Sequence, residues 1–321
     1  MQQDTTDKRK AILIWVALGL VYVVWGSTYL GIKLAIETMP PMLHGALRFS
    51  AAALILGVVV AIRSRDAFRM TAREFLGAAI VGVLLLTAGN GMVAVAEQHI
   101  STGLAALLVA SVPLWLVIFR LLVRDRPKLV TLIGVLVGFG GVAALSLSGG
   151  SEGSTTGIVV ILLASFSWAV GSFLSGRIAM PKNPFAASTV EMAVGAVGLA
   201  VFGLSAGERL DLAQVSTTSW LGLLYLILVG SLVGFTSYVW LLGNAPISLV
   251  STYAYVNPVV AVVLGALMLS EPVTPQILAG GLVIVVGVAL VISTERRSKR
   301  PVPAAKDLET TTSGFSRGRD R

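Results

Sequence analysis

Apolar residues run along this chain in blocks long enough to cross a bilayer core as helix, for which about 20 residues suffice. Short charged or Pro/Gly-rich stretches separate the blocks. They predict spans near 11–35, 42–62, 74–96, 102–122 and 129–147, then near 157–178, 185–205, 217–242, 247–270 and 276–293. Within the blocks the polar residues are not scattered. At about 100° per residue, Gly19, Tyr22, Gly26, Tyr29 and Lys33 share one face of the first span, with Trp25 beside it. Ser165, Trp168, Ser172 and Ser175 share a face of the sixth. Thr87, Asn90 and Glu97 line the third, Ser111, Trp115 and Phe119 the fourth, and Tyr253 and Asn257 the ninth.

The two sets of five blocks superpose at an offset of 143 to 146 residues. Trp25 falls on Trp168, Gly26-Ser27 on Gly171-Ser172, Lys33 near Arg177, and Arg48 on Glu191. Pro113 falls on Pro258, Pro127 on Pro272, and Gly141-Val142-Ala143 on Gly287-Val288-Ala289. Five is odd, so the second half must enter the membrane from the opposite side. The expected architecture is an all-α integral membrane protein of ten transmembrane helices, built as two inverted five-helix repeats. The first repeat spans 11–147 and the second 157–293. A short N-terminal segment (1–10), a linker (148–156) and a basic, disordered tail (294–321) complete the chain.

Composition agrees: 55% of the 321 residues are hydrophobic and 12% charged, with mean hydropathy +0.87, against about 25% charged in soluble domains. The net charge of +8 follows membrane topology rather than a nucleic-acid partner. With the N-terminus cytoplasmic, only Lys33, Arg48 and Arg209 of 24 basic residues fall outside the inner segments, while Glu37, Glu152, Glu208, Asp211 and Glu271 lie outside. Both termini are expected in the cytoplasm and the chain in the plasma (inner) membrane. Zero cysteines exclude disulfides and thiolate-ligated metals, and two histidines are too few for a His-based centre. No metal, cofactor or catalytic constellation is expected. The "GFGGVA" run at 138–143 lies inside a span with no preceding strand, and no phosphate-binding loop occurs. Gly134/Gly138 and Gly230/Gly234 are G-x-x-x-G pairs for tight helix contact, the former a candidate homodimer seam.

The stretches "VWGSTYLGIK", "LHGALRFSAAALIL" and "ISTGLAALLVASVPLW", together with the Trp-Gly-Ser of span 1, Arg48-Phe49 of span 2 and Glu271 opening the last loop, resemble the EamA-type transporters of the drug/metabolite transporter superfamily. The resemblance covers roughly 11–293. It implies ten helices around a central cavity and export of small metabolites, often amino acids. One departure is plain: repeat one carries "RDRPK" where repeat two carries "SEPVT", so a symmetric role for Glu271 is not expected.

Each in-span Ser, Thr or Gly has a competing reading as interhelical glue, hydroxyl bonds in bilayers averaging about 0.6 kcal/mol. Polar stripes on both halves point instead to a translocation path. Its candidate residues are Trp25, Tyr29, Arg48, Asn90, Ser111, Trp115, Trp168, Ser172, Glu191, Tyr253 and Asn257. Charges at mid-depth cost about 2.5–3.5 kcal/mol unless shallow, paired or functional. Lys33 is shallow enough to snorkel; Arg48 and its repeat mate Glu191 are not. They are expected either to position a charged or zwitterionic substrate or to form structural ion pairs. Glu97, expected near Lys33 or Arg48, and Glu191 are the candidates for proton coupling, and Pro113 and Pro258 for hinges. The function expected is alternating-access export of small metabolites, with a channel-like facilitator or a lipid or drug translocator as the alternatives.

Overall fold

The computed structural model describes residues 2–64, 66–124, 127–148, 154–245, 247–250 and 252–298, all helices, turns and short connections, with no strand among them. The helices are α1 (Gln2–Ala35), α2 (Pro41–Arg63), α3 (Ala72–Glu97), α4 (Thr102–Leu122), α5 (Leu129–Ser148) and α6 (Thr155–Ser175). Then follow α7 (Pro184–Ser205), α8 (Thr217–Tyr225 continuing through Leu226–Val233 and Gly234–Asn244), α9 (Tyr253–Leu269) and α10 (Pro275–Ser298). Among the described residues, nine helices are long and apolar enough to cross a membrane. The remaining one, α9, is apolar but has 17 residues. Large apolar side chains such as Ile12, Leu54, Ile62, Leu136, Leu267 and Leu282 stand exposed around the bundle, the surface a multi-pass protein presents to lipid.

Helix starts follow ordinary capping chemistry. Thr71 and Glu74 form a capping box at α3, Ser154 caps α6 through the Gly157 N–H (3.1 Å), and Asn183 caps α7 through Phe185 and Ala186 (2.9 and 3.1 Å). Three boundaries differ from expectation. The first helix begins at Gln2 rather than 11, because helix-compatible polar residues precede the apolar run. The tail expected from 294 is helical through Ser298; its remainder, 299–321, lies outside the described residues. The span expected to start at 247 instead has a one-turn helix, Ile247–Val250, and starts anew at Tyr253.

The packing has a regular plan. The broadest interfaces are α2 with α7 and α5 with α10. In turn α1 lies on α8 and α9, as α6 lies on α3 and α4, and α3 meets α7 as α8 meets α2. Glycine makes the closest seam possible: a Cβ on Gly287 of α10 would stand 2.4 Å from the Gly138 backbone nitrogen of α5. The Gly134/Gly138 face expected as a homodimer seam is therefore filled within the chain by α10, with Leu114 of α4 also against Gly138.

Two helices depart from α geometry at matched places. Val83–Asn90 in α3 and Leu226–Val233 in α8 are π-helical, and the two segments are offset by 143 residues at both ends. A π turn widens the helix and leaves backbone groups to be satisfied by neighbours, and such turns recur at functional sites. Here the Ser167 hydroxyl donates to the Leu84 carbonyl at 2.8 Å, from α6 to α3.

Candidate functional site

Three clusters gather most of the residues singled out in the sequence. The first joins α1, α8 and α9. The Trp25 ring stands 4.9 Å from Tyr238 and 5.0 Å, edge-on, from Tyr253, and the two tyrosines are 5.8 Å apart. Below them Tyr22 and Thr252 share a hydroxyl–hydroxyl bond. Asn257 lies 3.2 Å from the carbonyls of Tyr22 and Tyr253, the orientation in which its amide nitrogen donates to both. Trp25 can sit there because α8 carries Gly234, where a Cβ would be 2.7 Å from the indole nitrogen. Trp168, its repeat mate on α6, is seated on Gly89 of α3, where a Cβ would be 2.9 Å from the ring. Each tryptophan thus rests at the end of the π turn in the other half. Beside Trp25, the Ser27 hydroxyl shares a 2.6 Å bond with the Tyr225 hydroxyl of α8.

The second cluster surrounds Arg48. Its guanidinium is buried and lies 4.7 Å from the Phe49 ring, and Nε donates to the Ser231 hydroxyl in the π turn of α8 at 3.0 Å. Among the described residues no carboxylate lies within ion-pair distance of it. A narrow crevice adjoins it, too tight for a water molecule and lined by Ile32, His44, Gly45, Arg48, Phe49, Asn90, Gly91 and Leu199. Asn90 is the last residue of the other π turn. His44 is buried, its Nδ1 bonded to the Pro41 carbonyl at 2.6 Å, and its Nε2 has no partner. His44 was not singled out in the sequence; only its i, i+4 spacing to Arg48 hinted at it.

Among the described residues, Arg48 and Glu191 form no ion pair with each other or within their own halves. Glu191 is half-buried on α7, engages Ser188 on its own helix, and has its backbone against Gly82. Thr87 is a cross-helix tie, donating to the Gly195 carbonyl at 3.0 Å.

The third cluster lies between α4, α5 and α6. Trp115 meets Phe139 and Phe166 edge-on at 4.9 and 5.2 Å, and the row continues through Phe119 and Phe173 to Arg177, whose guanidinium lies 3.5 Å from the Phe173 ring. The indole nitrogen of Trp115 and the hydroxyl of Ser111, one turn apart, are buried without partners. Ser172 is half-buried, its carbonyl accepting the Ser175 hydroxyl at 2.9 Å. The two hinge candidates differ in form. The helix is interrupted at Ala110–Ser111, just before Pro113, whereas Pro258 lies inside the unbroken α9.

At one end of the bundle two acids tie loops to the starts of helices. Neither α2 nor α4 satisfies its first N–H groups alone. The N-cap of α2 is Pro40, with no side-chain oxygen to offer, and Glu208 accepts from Met42 (3.1 Å) and Leu43 (2.9 Å). At α4, Ser101 caps Leu104, and Glu271 takes the Thr102 N–H (2.9 Å) and hydroxyl (2.8 Å). Both glutamates follow a left-handed residue, Gly207 (φ 83°) or Ser270 (φ 55°), at the end of a helix. Both also face a glycine, Gly203 or Gly265, where a Cβ would crowd the carboxylate. Near Glu271, the Lys33 ammonium donates to the carbonyls of Glu97 and Ile100. The Glu97 carboxyl is buried with neither oxygen hydrogen-bonded, so the expected pairing with Lys33 or Arg48 does not form through that carboxyl. Tyr29 is partly buried and packs against the apolar core that holds Ile32, Leu104 and Leu108.

The EamA-like transporter family model matches residues 12–147 and 155–293. The chain is 38% identical over 258 residues to the uncharacterized inner membrane transporter YedA of Escherichia coli strain K12, covering 80% of this chain and 83% of that one. It is 26% identical over 285 residues to the uncharacterized transporter YvbV of Bacillus subtilis, covering 88% and 92%. A crystal structure with 17% identity superposes with TM-score 0.63, covering 91% of this chain and 99% of the other, a likeness of fold. Two family matches in tandem span nearly all ten helices, and the chain belongs to the EamA-like transporter family.

Proposed function

We propose that this transporter is a secondary carrier of the inner membrane, with ten spans in two inverted five-helix repeats (11–147 and 157–293) and both termini cytoplasmic. It moves a small, partly apolar metabolite outward by alternating access. The observation that carries this reading is the packing plan: exchanging helix n for n+5 returns the broad interfaces, α1 on α8 and α9 for α6 on α3 and α4, α3 on α7 for α8 on α2, and the π turns of α3 and α8 exchange as well. Two equivalent halves that grip each other through exchanged surfaces have two equivalent ways of opening. The Glu208 and Glu271 caps, each joining a second-half loop to a first-half helix, close the outer end in this arrangement. Between the halves, Trp25 and Trp168 flank the path, with Tyr253, Asn257, Arg48 and Asn90 along it.

The test is exchange in liposomes containing purified protein, preloaded in turn with amino acids and related metabolites, with labelled solute outside. Saturable, trans-stimulated uptake lost in Trp168→Ala is the expected outcome. Flux that rises linearly with concentration and shows no trans-stimulation contradicts a carrier and favours a channel-like facilitator.

A further inference from the structure

We propose that the pocket bounded by Arg48, His44 and Asn90 is a carboxylate-binding subsite, so that the transported solute carries a carboxylate seated against Arg48. The inference rests on the transporter reading and adds a site and a ligand chemistry to it.

The arrangement around Arg48 is incomplete as it stands. A guanidinium offers five donors in a planar fork. Among the described residues Arg48 uses one, Nε to Ser231, and has neither a carboxylate within ion-pair distance nor another hydrogen bond to its terminal nitrogens. A guanidinium this buried is costly without an anion, and none lies beside it among the described residues. The pocket it lines holds two more polar groups. His44 Nδ1 donates to the Pro41 carbonyl, so Nε2 of the neutral ring is an unpartnered acceptor in the buried wall, able to take a hydroxyl or ammonium proton of the solute while its carboxylate is held by Arg48. Asn90 supplies an amide from the facing π turn. The remaining walls, Ile32, Phe49 and Leu199, are apolar. Planar, bidentate recognition is what arginine does best, and carboxylate is the organic anion that fits it.

Position fits the same role. Glu208 binds the N–H groups of Met42 and Leu43, so the pocket begins directly beneath the closed end of α2. Both π turns bear on it, one through Ser231, which holds Arg48 Nε, and the other through Asn90, which lines the pocket. The pocket is too narrow in this arrangement for a water-sized sphere. A carboxylate therefore enters by parting the two halves, and its charge competes with Ser231 for the guanidinium. Binding there acts on the α2–α8 seam that must slide when the outer end opens.

The probes are pairs of isosteric solutes: lactate and lactamide, alanine and alaninamide, pyruvate and pyruvamide. Binding is read by thermal stabilisation of the purified protein, a measurement independent of transport. At least one acid is expected to raise the Tm of the wild type while its amide does not. Arg48→Gln is expected to weaken that acid by about tenfold or more, as loss of a charge-assisted pair implies, with Arg48→Lys between the two. The wild-type comparison of acid with amide needs no variant and stands even where Arg48→Gln misfolds. Equal stabilisation by acid and amide, stabilisation by no acid, or an unaltered response in folded Arg48→Gln overturns the subsite. Saturable exchange of an uncharged solute, unaffected by Arg48→Gln, overturns the subsite while leaving the carrier intact. Acid binding with no exchange of any bound acid leaves the subsite and removes the carrier.

Discussion

Glu271 and Thr102 lie 169 residues apart in sequence, yet the Glu271 carboxylate accepts both the backbone N–H and the hydroxyl of Thr102, at 2.9 and 2.8 Å. With its counterpart from Glu208 to Met42 and Leu43, it ties second-half loops to first-half helices at one end of the bundle. Charge-assisted bonds of this kind contribute about 1.5–3 kcal/mol each. Glu271→Gln and Glu208→Gln should therefore shift the molecule toward the outward-open form, and the double variant more so. The natural sequence has no cysteine, so a single Cys at the buried Ala105, which makes no latch contact, reports opening through its rate of maleimide labelling. The rate should rise in Glu208→Gln; an unchanged rate contradicts the latch.

The seats of the two tryptophans make a matched pair of tests. Gly234→Ala would place a Cβ 2.7 Å from the Trp25 ring nitrogen, and Gly89→Ala one 2.9 Å from the Trp168 ring. Both rings must shift, at about 1–3 kcal/mol of overpacking. Exchange rates in liposomes should fall in both variants, whereas Gly140→Ala, with nothing within 4 Å, should transport normally.

The α5–α10 seam predicts stability rather than transport. Gly287→Ala would set a Cβ against the Gly138 backbone at 2.4 Å, where no side chain can yield. Thermal unfolding in detergent should show a loss of at least about 1–3 kcal/mol. Gly140→Ala on the open face of α5 should be neutral or stabilising, since alanine is favoured over glycine in helices by up to about 1 kcal/mol.

Glu97 offers a test of coupling. Its carboxyl is buried with neither oxygen bonded, while Lys33 holds its backbone carbonyl. A proton carried there during the cycle predicts that Glu97→Gln exchanges solute normally at equal pH but loses accumulation driven by an imposed pH gradient. Equal accumulation in the variant assigns coupling elsewhere.

Much of this was readable in the sequence because hydrocarbon imposes a strict length and polarity on each span. The α2, α6, α7 and α10 segments lie within a few residues of their apolar blocks. The break between α8 and α9 was hidden because Ile247–Val250 continues the apolar run, and apolarity alone does not report backbone geometry. The π turns were hidden for the same reason, although the runs VLLLTAGN and LILVGSLV stand 143 residues apart. Trp25, Tyr253 and Asn257, on separate stripes in the sequence, lie in one cluster. Tyr238 was missed because its only cue was aromaticity. Arg48 and Glu191 were matched by repeat symmetry, but symmetry mates need not touch, and these sit on separate contacts. The caps by Glu208 and Glu271 depend on orphan N–H groups 165 or more residues away, and no local pattern announces them.

The most direct measurement places spin labels on the cysteine-free background in two pairs, Gln98 with Leu212 at the outer end and Arg73 with Gly176 at the inner, all at exposed positions. Distances are read in liposomes with and without the solute identified by exchange. Rocking of two inverted halves predicts that solute or the Glu208→Gln/Glu271→Gln variant lengthens the outer distance while the inner one shortens. Both distances staying fixed during saturable exchange, or both lengthening together, would contradict it.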